Sequence, residues 1–315
     1  MKTLLILLTV TVVLLGCNAV TEPAPEDPLV PAGVMQLVEN TYKDPHNMVF
    51  TEILSSKIWN LELESQVKKY SLIMGPNNIK VAYRRMATEV PDSLRHLLDT
   101  SVIAGGTFSD FKEQEFISFS ELSYEKTYLA NYMWKGKTYL LKWGAAFGGG
   151  QKGVYDIEMV PVISKFPTAE LNDLPLALQQ YFQGKGFEFI RATIFINTQS
   201  KRYYQVWLSN NNSNFQLMFD QDCKLVAGSD QPVRIDDADE LPENIRAYIR
   251  RASDNKDFGF KVRIAGMVKN ELDGVKSYIV ILQELNAPSD KTDTWHIVLD
   301  QNANLLMSSY YCTLN

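Results

Sequence analysis

NDLPLALQQYFQGKG, residues 172–186, and DELPENIRAYIR, residues 239–250, decide how this chain reads. Each sets polar residues before a Leu-Pro pair and places a tyrosine, Tyr181 or Tyr248, two turns further on. Proline suits the first turn of a helix, where its missing N–H has no partner to lose. Leu174, Leu178, Tyr181 and Phe182 then fall on one apolar helical face. Asn172 or Asp173 is placed to cap that helix, and Gly184 and Gly186 to end it.

Outward from both helices the apolar period changes to two, the signature of strands. Tyr204, Val206 and Leu208 alternate with Tyr203, Gln205 and Trp207, and Phe215, Leu217 and Phe219 form the next inward set. After the other helix the matching sets are Tyr278, Val280, Leu282 and Trp295, Ile297, Leu299. The runs close on Phe219-Asp220 and Leu299-Asp300, whose aspartates read as turn formers rather than a carboxylate pair. Two fainter copies precede these. One carries Met35-Gln36, Tyr42, then Trp59, Leu61, Leu63 and Tyr70, Leu72, Met74; the other carries Val90-Pro91, then Tyr128, Ala130, Tyr132 and Tyr139, Leu141, Trp143. The expected fold is α+β, about four tandem units of one helix plus an antiparallel meander. The units pair into a first half, 33–165, and a second half, 166–315; a Gly148–Gly153 loop and a strand from Val154 to Ile163 come just before the boundary.

Leu174-Pro175, Leu241-Pro242 and Val90-Pro91 at helix starts, Tyr42-Lys43-Asp44-Pro45 at a helix end, and Phe219-Asp220 and Leu299-Asp300 at strand ends carry a resemblance. Over residues 33 to 312 this pattern resembles the PepSY-like, β-lactamase-inhibitor-protein-like (BLIP-like) repeats of Bacteroidetes envelope proteins. The resemblance implies two BLIP-like domains with helices on one sheet face and the other face open, and it implies no enzyme activity. Gln36, Gly75 and Gly144 depart from the pattern.

The N-terminus reads as a targeting segment. Lys2 precedes an apolar run, Leu4 to Leu15, shorter than the roughly 20 residues of a membrane span. Leu14-Leu15-Gly16-Cys17 looks like a lipobox, which makes 1–17 a lipoprotein signal and Cys17 the acylated residue. Asn18 after it lacks the aspartate of inner-membrane retention, so the expected location is the outer membrane of a Gram-negative cell, facing the periplasm or the surface. Residues 18–32, with Pro23, Pro25, Pro28, Pro31 and acidic neighbours, read as a tether. The formal charge of −6, and the lack of basic runs interleaved with aromatics, argue against a nucleic-acid partner. Beyond Cys17 only Cys223 and Cys312 remain, and spacing leaves a disulfide and two separate thiols both open.

No catalytic or metal signature assembles. His46, His96 and His296 share no ligand spacing. Asp236 to Glu240 lacks the pattern of a calcium loop and reads as helix capping. Gly148–Gly153 lacks the ending of a phosphate loop, and no Gly-x-Ser-x-Gly occurs. The expectation is a protein with neither cofactor nor metal and no enzymatic role. The face opposite Tyr204 instead presents Tyr203 and Trp207, joined by Met218, Ile279 and Ile281, where the first copy has Asn60, Glu62 and Glu64. An apolar sheet face of this kind either binds a protein or peptide partner or packs inside the molecule. The first alternative makes the chain a membrane-anchored binding module, inhibitory only by fold-level analogy; the second makes it a spacer or assembly component of a surface complex.

Overall fold

A computed structural model describes residues 30–118, 124–146, 154–211, 213–286 and 293–314. Helix α1 (Ala32–Thr41) leads to β1 (His46–Leu54), β2 (Ile58–Ser65), β3 (Lys68–Met74) and β4 (Ile79–Arg85). Helix α2 (Asp92–Asp99) leads to β5 (Thr107–Ile117), β6 (Tyr124–Trp134), β7 (Lys137–Ala146), β8 (Tyr155–Val160) and β9 (Val162–Thr168). Helix α3 (Leu176–Lys185) precedes β10 (Glu188–Asn197), β11 (Arg202–Asn210), β12 (Ser213–Asp220), β13 (Leu225–Ser229) and β14 (Val233–Ile235). Helix α4 (Glu243–Asp254) precedes β15 (Val262–Leu272), β16 (Val275–Glu284), β17 (Thr294–Asp300) and β18 (Leu305–Leu314).

The α+β class of tandem helix-plus-meander units, paired into two BLIP-like domains, is corrected. The described residues are mostly antiparallel sheet, 56% strand against 17% helix. One sheet of thirteen strands runs β1 to β8 in order and continues through β18, β17, β16, β15 and β14; the remaining five form a second sheet, β13-β12-β11-β10-β9. Strands expected to end one unit and begin the next pair directly. β4 joins β5 through Val81↔Ile117 and Arg85↔Lys112. β8 joins β7 through Leu141↔Met159 and β18 through Cys312↔Ile157. A separate meander would leave unpaired N–H and C=O rows at both edges, and joining the edges satisfies them. Apolar alternation specifies which face a residue takes but not which strand lies alongside. The boundary expected near residue 165 falls inside β9.

The two faces of the large sheet feed different cores. Leu141 and Trp143 of β7 join Leu94 and Leu98 of α2 and Ile245 and Ile249 of α4 in one cluster. Leu140, next to Leu141 and turned to the opposite face, joins Phe166, Phe195 and Val160 in another. Val34 and Val38 of α1 cover Trp59, Leu61 and Leu72. Helices α1, α2 and α4 thus share one face of the large sheet, and the small sheet lies on the other. Leu178 and Phe182 of α3 cover the small sheet's far side, against Tyr204, Val206, Leu208 and Phe219. The order of layers is helices, large sheet, small sheet, helix.

Local chemistry explains the ends of elements. Gly186 closes α3 in a left-handed conformation, with Phe187 N–H bonded to Phe182 O at 2.9 Å. Asn197, Asp220 and Asp300 form the same turn: each side-chain Oδ1 accepts the backbone N–H groups two and four residues on, at 2.8 to 2.9 Å. Pro175 and Pro242 occupy the N-cap positions of α3 and α4, with no side-chain cap on either. Asp173 therefore does not cap α3. It lies 3% exposed, 2.5 Å from the Nζ of the equally buried Lys80 of β4, and accepts a hydrogen bond from Thr168. Glu170 stands 3.3 Å from the same ammonium. Lys57 donates to the carbonyls of Asn172 and Leu174 at 2.7 Å each. These contacts pin the entry to α3, and with it the small sheet, onto the large one.

Candidate functional site

The small sheet rests on the large one by its two edges. β9 lies against β4 and β7, and β13 against β15, β16 and β17. Between those supports β10, β11 and β12 span the middle of the large sheet and leave a cleft of about 580 Å³. Its roof carries Arg191, Thr193, Gln205, Trp207 and Gln216; its floor carries Tyr124, Lys142, Glu158, His296 and Tyr311. The alternation that turns Tyr204, Val206 and Leu208 toward α3 turns Gln205 and Trp207 into this space.

The charged side chains engage one another. Glu158 lies 2.5 Å from Lys165 and 3.8 Å from Lys142, and the Tyr311 hydroxyl donates to it at 3.3 Å. Burial pushes the Glu158 carboxyl up, but the two ammonium groups and the hydrogen bonds outweigh it and hold the pKa below the usual carboxylate range. Desolvation lowers the pKa of Lys142, opposed by Glu158. Its ammonium lies 4.8 Å from the Tyr124 ring centroid. Gly144 makes room for that ring, since a Cβ there would meet it at 2.6 Å. His296 sets its ring 5.0 Å from Tyr311, and desolvation depresses its pKa. An ionised Glu158 accepts hydrogen bonds and has no proton to donate. A carboxyl whose folded pKa is depressed contributes stability that is full above its unfolded pKa and lost as pH falls through its folded value. Glu158→Gln should therefore lower the urea midpoint at pH 7, and the gap from the native chain should close below about pH 4, where carboxylates protonate. A gap of the same size at pH 7 and pH 3 would show that the charge of Glu158 contributes nothing.

Thr313 donates to Asp156 at 2.8 Å, whereas four other uncharged polar side chains are uncommitted. Gln114, Thr193, Gln205 and Gln216 are each half-buried in the cleft wall, and their side chains find no hydrogen-bond partner among the described residues. Arg191 lies over the Trp207 ring, 4.5 Å from its centroid.

The residues singled out in the sequence divide. Trp207 faces the cleft. Tyr203 is half-buried against the core of the small sheet, and Met218 is buried on the same side, opposite Gln205. Ile279 and Ile281 are half-buried on β16, on the side turned from α4, and do not line the cleft. The five residues thus form no single open patch: the small sheet turns that face toward the large one. Cys223, in the turn after β12, and Cys312, in β18, are free thiols; burial pushes Cys312 up to about 12. Cys17, the tether as far as residue 29 and Gly148–Gly153 lie outside the described residues. Asp237 accepts from Asp239 N–H at 2.9 Å at the start of a short 3-10 turn, and Asp239 pairs with Arg246 at 2.7 Å. His46 stands 3.7 Å from Glu64 and His96 2.7 Å from Asp99. Among the described residues no cluster of three metal-ligating side chains occurs. Asn60 and Glu62 line a second recess of about 370 Å³ beside β9, and Glu62 pairs with Arg85 at 3.2 Å.

Sequence reasoning placed Gln205 and Trp207 on the correct face but missed the floor of the cleft, because Glu158, Lys142 and Tyr311 come from strands distant in sequence. Gly144 was the available signal: a glycine where the strand pattern asks for a side chain marks a close approach. No protein-family model and no curated protein matches the chain.

Proposed function

We propose that this chain is a non-catalytic binding protein, held at a Gram-negative outer membrane through a lipid on Cys17, with its ligand site in the cleft between the sheets. The observation that carries this reading is the set of half-buried side chains, Gln114, Thr193, Gln205 and Gln216, which converge on one cavity and have no partner among the described residues. Their polar atoms stay open to the cavity, and a cavity of several hundred Å³ with a few convergent polar groups is the usual form of a small-ligand site. The lipobox-like Leu14-Leu15-Gly16-Cys17 supports the anchor. A protein or peptide partner reaches Trp207 only by entering the cleft, since Tyr203 and Met218 pack inward.

A second reading, the spacer or assembly component, has its own support in the inward packing of Met218 and Tyr203. The two separate by crosslinking. A photoreactive phenylalanine analogue at Gln216, activated in intact cells, should yield an adduct of added mass on the binding reading. Crosslinks confined to this chain's own residues would leave the spacer.

A further inference from the structure

We infer that the cleft takes a neutral, polyhydroxylated ligand, a short oligosaccharide; this rests on the binding reading above. The backbone limits how an occupant can be held. The roof strands β10, β11 and β12 and the floor strands β7, β8, β17 and β18 are each hydrogen-bonded on both sides. The one edge strand at the cleft is β9, which adds Lys165 and Pro167 to its lining; across the roof and floor themselves no peptide strand can add, and recognition there falls to side chains.

Those side chains have a defined chemistry. Gln114, Gln205 and Gln216 each offer a carbonyl acceptor beside an amide donor, and Thr193 offers a hydroxyl. A sugar hydroxyl is likewise donor and acceptor at once, and two vicinal hydroxyls match the spacing of a planar amide. The lining charges nearly balance, Lys142, Lys165 and Arg191 against Asp156 and Glu158, so no strong net charge selects an anion. The rings of Trp207, Tyr124 and Tyr311 supply the apolar surfaces against which sugar C–H faces pack. At about 580 Å³ the cleft has the size of a small-ligand site.

Saturation-transfer NMR on the full chain, with maltotriose, cellotriose, chitotriose and trialanine as separate probes, tests this. At least one trisaccharide should show transfer to its ring protons, and Gln205→Ala and Trp207→Ala should each weaken its binding about tenfold or more. Gln205→Ala removes a side chain without a protein partner, so it keeps the test valid if Trp207→Ala fails to fold. Trisaccharide binding that both variants leave unchanged would place the sugar elsewhere and overturn the inference. Binding of trialanine alone would overturn the sugar class while sparing the binding reading. Silence from all four probes would overturn the inference too, and the crosslink at Gln216 would then decide the broader reading.

Discussion

Lys80→Met should lower the free energy of unfolding by about 3–5 kcal/mol, the range for breaking a buried ion pair from one side. The variant leaves Asp173 3% exposed, with the Thr168 hydroxyl as its remaining donor and no opposite charge beside it. Asp173→Ala should cost less, because Glu170, 3.3 Å from the Lys80 ammonium and half-exposed, remains to balance it. The double variant Lys80→Met, Asp173→Leu should return to within about 1 kcal/mol of the native chain or exceed it, since an apolar pair of similar volume avoids desolvating two ions. Urea denaturation of the three variants separates these cases. A loss below about 1 kcal/mol in Lys80→Met would show that the pair does not hold the sheets together. The expected size follows from position: Lys80 belongs to the large sheet and Asp173 to the entry of α3, so the lost contact lies at a support of the small sheet.

That pair also shows what the sequence made legible and what it withheld. Leu-Pro at 174–175 and 241–242 marks α3 and α4 because a helix start is decided within a few residues. Alternation in 203–208 separates Tyr204 from Trp207 because side-chain direction in a strand is a local property. Partnership is not local. Asp173 sits where a capping residue would sit, and only the fold reveals that its carboxylate turns to Lys80. The same limit hid the thirteen-stranded sheet: β8 reaches β18 across most of the second half of the chain, and no period in the sequence encodes that meeting. Reading each copy as a closed unit assumed that meander edges stay apart, whereas unpaired edges favour joining. The candidate site suffered most, because its roof and floor come from those separate runs. Trp207 was visible as an aromatic on the far face, but nothing nearby in sequence announces Glu158 or Tyr311 beneath it.

The other support of the small sheet should prove as sensitive. Gly228, in β13, has φ +104°, a conformation that side chains with a Cβ rarely adopt. A Cβ there would come 2.2 Å from Gln216 O and 2.8 Å from Leu217 Cα, backbone atoms of β12 that cannot swing aside. Its N–H donates at 3.2 Å to the hydroxyl of Ser277, a fully buried residue of β16, and Ser229 beside it donates to Glu271 O at 3.1 Å. Gly228→Ala therefore combines backbone strain of about 1–3 kcal/mol with a clash that separates β13 from β12, for a total of roughly 3 kcal/mol or more. Ser277→Ala removes only the hydrogen bond and should cost about 1 kcal/mol. Hydrogen exchange distinguishes a local from a global effect: Gly228→Ala should speed exchange at Leu217, Ala227 and Ser229 well before it does so in β6 or β7. Equal stability of Gly228→Ala and Ser277→Ala would mean that β13 shifts freely over the large sheet, and the cleft would then lack the fixed second support that its geometry requires.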